Sequence, residues 1–348
     1  MQKPGDEQKL RSAFSLHQAG DLDKAAKIYR EIINEDPHSF HALHYLGVLE
    51  ASHGNLEQAK SLMARSLSIH PPNIQFVENY ATLLFRAGDC ESAVEQCQNG
   101  LELNTSNVSL LYVSAISLLK LQRLHESLVQ FDKLLSIQPN HVVALNERAV
   151  VLAEMKNYNA ALASVEKALV FQPQYVQAYL NLSNLYKLLE RYDEAVEALN
   201  RGLKVAPAMP ELSIRLGLIF LKLRNYNGAR AAFARALDIS PNAVTALSGM
   251  GRVHQRIGEF RSAVEAFQRC LTHAPNDRDI LLSLGFSLLE IGDLDAGYER
   301  LRAAVRGDQK HYSSALNMLV KSRHGRFWLK PSEAIKFLRG ESTQIVKK

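Results

Sequence analysis

Seven of the eleven prolines, Pro37, Pro71, Pro139, Pro173, Pro207, Pro241 and Pro275, fall on one arithmetic series of step 34, with Thr105 and Gln309 at the two terms that lack proline. A fixed period of that size constrains the fold more than any other feature of the chain. A unit of about 34 residues is too small to bury its own apolar face and must stack on copies of itself. With proline set at position 32, units begin at residues 6, 40, 74, 108, 142, 176, 210, 244 and 278, without insertion or deletion. The 47% hydrophobic content then suffices for a packed core along the array and excludes wholesale disorder.

Other positions fall into columns, each with a physical reason. Position 8 is always small, from Ala13 and Gly47 to Gly251 and Gly285, and so is position 20, from Ala25 to Gly297. Small residues there let two helices cross with their backbones close together. Position 17 is mostly large (Leu22, Leu56, Tyr158, Tyr192, Tyr226, Phe260, Leu294) and is expected to fill the gap that the small columns leave. Position 15 carries Gly20, Gly54, Gly88, Gly258 and Gly292, suited to the left-handed conformation that ends a helix. In four consecutive units it is Gln122, Lys156, Glu190 and Arg224, so those turns must form without glycine. Apolar residues between the columns recur at i, i+3, i+4 and i+7, as in YDEAVEALNRGLKVAP, and no run alternates as a strand would.

Each unit thus reads as a helix, a short turn and a second, antiparallel helix. The column set with its closing proline resembles the tetratricopeptide repeat family over residues 6–311, although the aromatic often found at position 4 is replaced by Leu43, Val77, Leu111, Leu145, Leu247 and Leu281. The resemblance implies an all-α, right-handed superhelical solenoid whose first helices line a concave wall. Past the ninth unit, Tyr312, Ala315, Leu316 and Leu319 predict a capping helix over 312–322 that Gly325 breaks. A basic, aromatic tail over 323–348 follows, with a further short helix expected between Pro331, with Ser332 as its N-cap, and Gly340.

Catalysis leaves no signature. A phosphate loop, nucleotide fingerprint, HExxH and GxSxG are all missing, so the reading is a non-enzyme with no cofactor. Cys90, Cys97 and Cys270 occupy core columns, too few and too scattered for a disulfide framework or a four-ligand zinc site. His38, His41 and His44 form the densest imidazole cluster, and His41 and His44 share a helix face that Glu78 could join around a metal. The plainer reading, adopted here, is no metal and histidines that decorate a groove and make ligand binding sensitive to pH between about 5 and 7.

The wall positions of the first helices therefore carry the functional expectation. They supply His44, Val48, Glu78, Tyr112, Ile116, Asn146 and Val150, then Asn181, Asn184, Lys187, Arg215, Leu218, Lys222, Arg252 and Arg256. Apolar side chains beside a basic patch fit an extended or helical partner segment with acidic and aliphatic residues. The family's chaperone-binding carboxylate clamp needs lysine at position 5, where this chain has none; only Asn184 and Arg252 match its pattern by type, so no adaptor role is inferred. The expected function is a protein-interaction scaffold. The alternative is a recruiting module for a separate enzyme such as a glycosyltransferase, since AYLNLSNLYKLLERYDEAVEALNRGLKVAP resembles the repeats of O-GlcNAc transferase-like enzymes. Self-association stays open.

Net charge of +5 is unevenly placed. Residues 1–174 hold 15 basic against 19 acidic side chains, 175–299 hold 14 of each, and 300–348 hold 12 against 3. That excess, with Phe327, Trp328 and Phe337 among the basic residues, leaves nucleic acid or an anionic membrane as a partner for the tail alone; the other outcome is that the tail folds back on the repeats. The start, MQKPGDEQKL, has no apolar run of signal-peptide type, and the expected location is cytoplasmic.

Overall fold

Helix periodicity becomes helix pairs. The computed structural model of the chain describes residues 4–69, 73–306, 309–323 and 331–340, and among them there is no strand. The first helices of the pairs are α1 (Pro4–Gln18), α3 (Phe40–Ser52), α5 (Ile74–Arg86), α7 (Val108–Lys120), α9 (Val142–Glu154), α11 (Val176–Leu188), α13 (Pro210–Lys222), α15 (Val244–Ile257) and α17 (Arg278–Glu290). Their partners are α2 (Leu22–Glu35), α4 (Leu56–Ile69), α6 (Cys90–Leu103), α8 (Leu124–Ile137), α10 (Tyr158–Phe171), α12 (Tyr192–Val205), α14 (Tyr226–Ile239), α16 (Phe260–His273) and α18 (Leu294–Val305). Two further helices follow, α19 (Tyr312–Lys321) and α20 (Pro331–Arg339). The chain divides into two compact units, residues 1–181 and 182–348, a boundary inside α11 that the unbroken period does not mark.

The turn inside each pair is built the same way with and without glycine. Gly20, Gly54, Gly88, Gly258 and Gly292 have φ between 82° and 87°. Gln122, Lys156, Glu190 and Arg224 adopt the same left-handed region at φ 57–60°. The next amide then donates to the carbonyl five residues back, as in Arg123 N to Leu118 O (2.9 Å) and Asn225 N to Phe220 O (2.8 Å), satisfying a carbonyl that the helix end exposes. Asn225 goes on to cap α14 by accepting from Gly228 N at 2.9 Å. A side chain with a Cβ pays for the left-handed region, so Gln122→Gly and Arg224→Gly should each stabilise the protein by about 1 kcal/mol. Urea denaturation of each variant against the parent measures it; equal or lower midpoints would show that these side chains compensate the strain.

Packing corrects one expectation. The space over the small column at position 8 is filled from position 24, not position 17. A Cβ on Gly47 would stand 2.8 Å from Met63, one on Gly217 2.7 Å from Phe233, one on Gly251 2.6 Å from Phe267 and one on Gly285 2.9 Å from Leu301. Tyr29, Cys97, Phe131, Val165 and Leu199 take the same place in other pairs and are fully buried. The position-17 side chains open the second helices and stay half-buried at the turn. They sit seven residues, two turns, before the crossing that position 24 faces.

The proline column has a second task. Arg65 donates to the Pro37 carbonyl at 2.8 Å, Arg269 to that of Pro241 at 3.0 Å and Arg235 to that of Pro207 at 3.3 Å. One arginine from each of these second helices thus holds the loop that closes the pair before it.

In the 182–348 unit, Ala315 and Leu319 of α19 and Phe337 and Leu338 of α20 are buried with Leu282, Leu289, Tyr298, Leu301 and Val305 of α17 and α18. Phe337 meets the Tyr298 ring edge-on at 5.2 Å. The Ser322 amide closes α19 by donating to the Met318 carbonyl at 3.0 Å, and the Arg323 amide donates to Glu290 Oε1 at 2.8 Å. This part of the tail lies against the repeats, and α20 stops at Gly340, φ 77°. Gly325, Arg326, Phe327, Trp328, Leu329 and Lys330 lie outside the described residues.

Candidate functional site

In the 1–181 unit the wall positions hold the repeats to one another. His44 is fully buried, its ring stacked on Phe76 at 3.6 Å, and Asn79 Nδ2 donates to its Nε2 at 3.0 Å. Burial first, and His41 second, push its imidazole down to about 4. It is therefore neutral across the range in which a groove histidine was expected to titrate. Asn146 is also fully buried; it accepts from Asn181 Nδ2 at 2.9 Å and donates to Glu147 at 3.2 Å. Burial raises the Glu147 carboxyl above the usual range. Both pairs join position 5 of one repeat to position 6 of the next, 35 residues on. The sequence signal for them was available: an amide or imidazole at each of two positions 35 apart.

Glu78, half-buried, accepts from Asn107 Nδ2 at 2.5 Å, and half-buried Tyr112 stacks on His141 at 5.8 Å. Burial, with Glu147 nearby, pushes the Tyr112 phenol up to about 12. Val48, Ile116 and Val150 are half-buried; the first two pack on the clusters around Met63 and Phe131.

The 182–348 unit is different. Asn184 and Lys187 of α11 face Arg215, Leu218 and Lys222 of α13 across a pocket of about 380 Å³. Ser183, Ile219 and Tyr192 complete its lining. Five residues chosen by repeat position alone therefore come together. Tyr192 was missed because its column reads as packing, whereas its half-buried ring keeps one edge on the pocket. Arg215 donates to Glu211 at 2.8 Å. Lys187 and Lys222, both exposed, have no ion pair among the described residues, and Leu218 between them is 39% exposed. The pocket thus presents two uncompensated ammonium groups over an aliphatic floor. Arg252 and Arg256 are exposed on α15, outside this lining.

Among the described residues no group of three or more His, Cys, Asp or Glu is arranged to hold a metal ion. Burial raises the thiols of Cys97 and Cys270 to about 12 and about 11, which keeps them protonated and unreactive. No described helix is long and apolar enough to cross a membrane.

Three family models, each described as a tetratricopeptide repeat, match residues 16–84, residues 146–201 with 180–244, and residues 246–281. No curated protein sequence matches the chain. Among solved structures it is similar to a tetratricopeptide repeat protein from Parabacteroides merdae, at 20% identity over 72% of this chain and 99% of that one, with a TM-score of 0.56. A similar match is the C-terminal part of a repeat-containing protein from Cytophaga hutchinsonii, at 16% identity over 69% and 99% with a TM-score of 0.56. PilF of Pseudomonas aeruginosa follows at 16% identity over 61% and 94%, with a TM-score of 0.51. At such identities the likeness is one of fold.

Proposed function

We propose that this chain, which belongs to the tetratricopeptide repeat family, is a non-catalytic scaffold that holds an acidic and aliphatic segment of a partner protein in the pocket between α11 and α13. The observation that carries the reading is the pairing of Lys187 and Lys222, with no ion pair among the described residues, over Leu218 and Ile219. Uncompensated cations beside exposed apolar surface favour a ligand that brings both the anion and the aliphatic group, since burying the floor alone would leave the ammoniums to lose water unpaired. The half-buried Val48, Ile116 and Val150 of the 1–181 unit offer apolar contact along the same repeat position in their own unit.

Reversing both charges in the full chain, Lys187→Glu with Lys222→Glu, should weaken binding of fluorescent peptides rich in Glu and Leu by about tenfold or more. Both side chains are exposed, so the melting temperature should hold. The pair Arg252→Glu with Arg256→Glu, equal in charge change and outside the pocket, serves as the control. Equal loss in both double variants, or none in either, would remove the pocket from the reading.

A further inference from the structure

A second pocket of the 182–348 unit, of about 540 Å³, lies where α18, α19 and α20 meet, and arginines dominate it. Arg302, Arg306 and Arg339 line it, with Glu299 as the one carboxylate among the described lining residues. The side chains of Arg302 and Arg306 have no ion pair among the described residues, although they stand four residues apart at the end of one helix. Like charges at that spacing oppose each other. The helix dipole favours a cation there, and α20 brings a third guanidinium beside it.

Two of the three guanidiniums are held in place. Arg302 Nε donates to the Phe337 carbonyl at 3.0 Å, and its guanidinium lies 4.2 Å over the Phe337 ring. Arg339 Nε donates to the Tyr312 hydroxyl at 3.3 Å, with its guanidinium 5.5 Å from that ring. Both anchors engage Nε and one ring face, which fixes the plane of the fork. A guanidinium fixed in this way loses little side-chain entropy when an oxyanion binds in bidentate fashion.

We propose that this pocket binds a phosphate-bearing ligand through Arg302, Arg306 and Arg339. Phosphate suits it better than a carboxylate because three donors converging from two helices need an anion with more than two acceptor oxygens and more than one negative charge. The site is separate from the α11–α13 pocket and stands whether or not that pocket binds a peptide.

Pyrophosphate titrated into the full-length protein by calorimetry is the direct test. Saturable binding is expected, weakened about tenfold or more in Arg306→Glu and unchanged in Arg261→Glu, which alters charge equally at an exposed position outside both pockets. Arg306 is exposed and makes no side-chain bond among the described residues, so its variant should keep its helical content; Arg302→Lys, which keeps the charge and loses the fork, should bind less tightly than the parent. Sedimentation with phosphatidylcholine vesicles, with and without a phosphoinositide, separates the sources of the phosphate. Pelleting only with phosphoinositide, reversed by pyrophosphate, assigns a lipid headgroup; pyrophosphate binding without pelleting assigns a soluble ligand. Absence of binding in both assays, or equal weakening by Arg306→Glu and Arg261→Glu, would overturn the site.

Discussion

Phe233→Ala should cost about 3–5 kcal/mol and lower the unfolding midpoint of the 182–348 unit more than single truncations on that unit's surface. Phe233 is 0% exposed and its ring fills the space between two glycines, Gly217 of its own pair and Gly249 of the next. A Cβ on Gly217 would be 2.7 Å from the ring, and one on Gly249 would also collide with it. Truncation leaves a cavity that two rigid helix backbones cannot close, which places the loss at the high end. The reverse change, Gly249→Ala, overpacks the same joint and should cost about 1–3 kcal/mol. Combined with Phe233→Leu, which opens room at the ring, Gly249→Ala should cost less than the two changes added together, a coupling expected only of residues in contact. Urea denaturation of the four proteins, with amide exchange of α13 to α16, provides the cycle. Additive losses would mean that the glycine and the ring do not share the joint.

That joint shows what the sequence could and could not convey. Period and proline series located the start of helix after helix, because proline and the turn residues act locally and repeat every 34 residues. The small columns were legible for the same reason. Which large side chain covers them was not: it depends on where antiparallel helices cross, and the crossing brings Phe233 and Met63, at position 24, over the glycines instead of Tyr226 and Leu56, at position 17. The wall divides along the same line. Asn184, Lys187, Arg215, Leu218 and Lys222 share a pocket because repeat position alone sets their direction. His44 and Asn146 stand at another wall column and are buried, since position 5 faces the following repeat and its exposure is decided by residues such as Phe76, Asn79 and Asn181. Glycine-free turns were legible as a problem; their solution, four ordinary side chains at positive φ, needed the backbone.

Acidification should loosen the 1–181 unit through His44. Its imidazole is fully buried between Phe76 and neighbouring rings, has Asn79 donating to Nε2, and keeps Nδ1 buried without a partner. A second proton would put two donors face to face at Nε2 until the Asn79 amide turned over, next to His41, whose charge opposes it further. The folded state therefore holds His44 neutral down to about 4, against an ordinary value of 6.5. A depressed histidine contributes nothing to instability above 6.5; as pH falls from there toward 4, the unfolded chain takes up the proton first and stability is lost. The full difference corresponds to about 3 kcal/mol below pH 4. His17 and Tyr45 share the cluster, and burial lowers His17 in the same direction, so the total loss should exceed the His44 share. His44→Gln isolates that share, because the amide can still accept from Asn79 and does not titrate. At pH 7 the variant should be the less stable protein; by pH 4 it should have regained about 3 kcal/mol relative to the parent. Amide exchange of α3 and α5 at both pH values reads the difference in the helices concerned. Parallel losses in parent and variant between pH 7 and 4 would show that His44 is not the group that titrates.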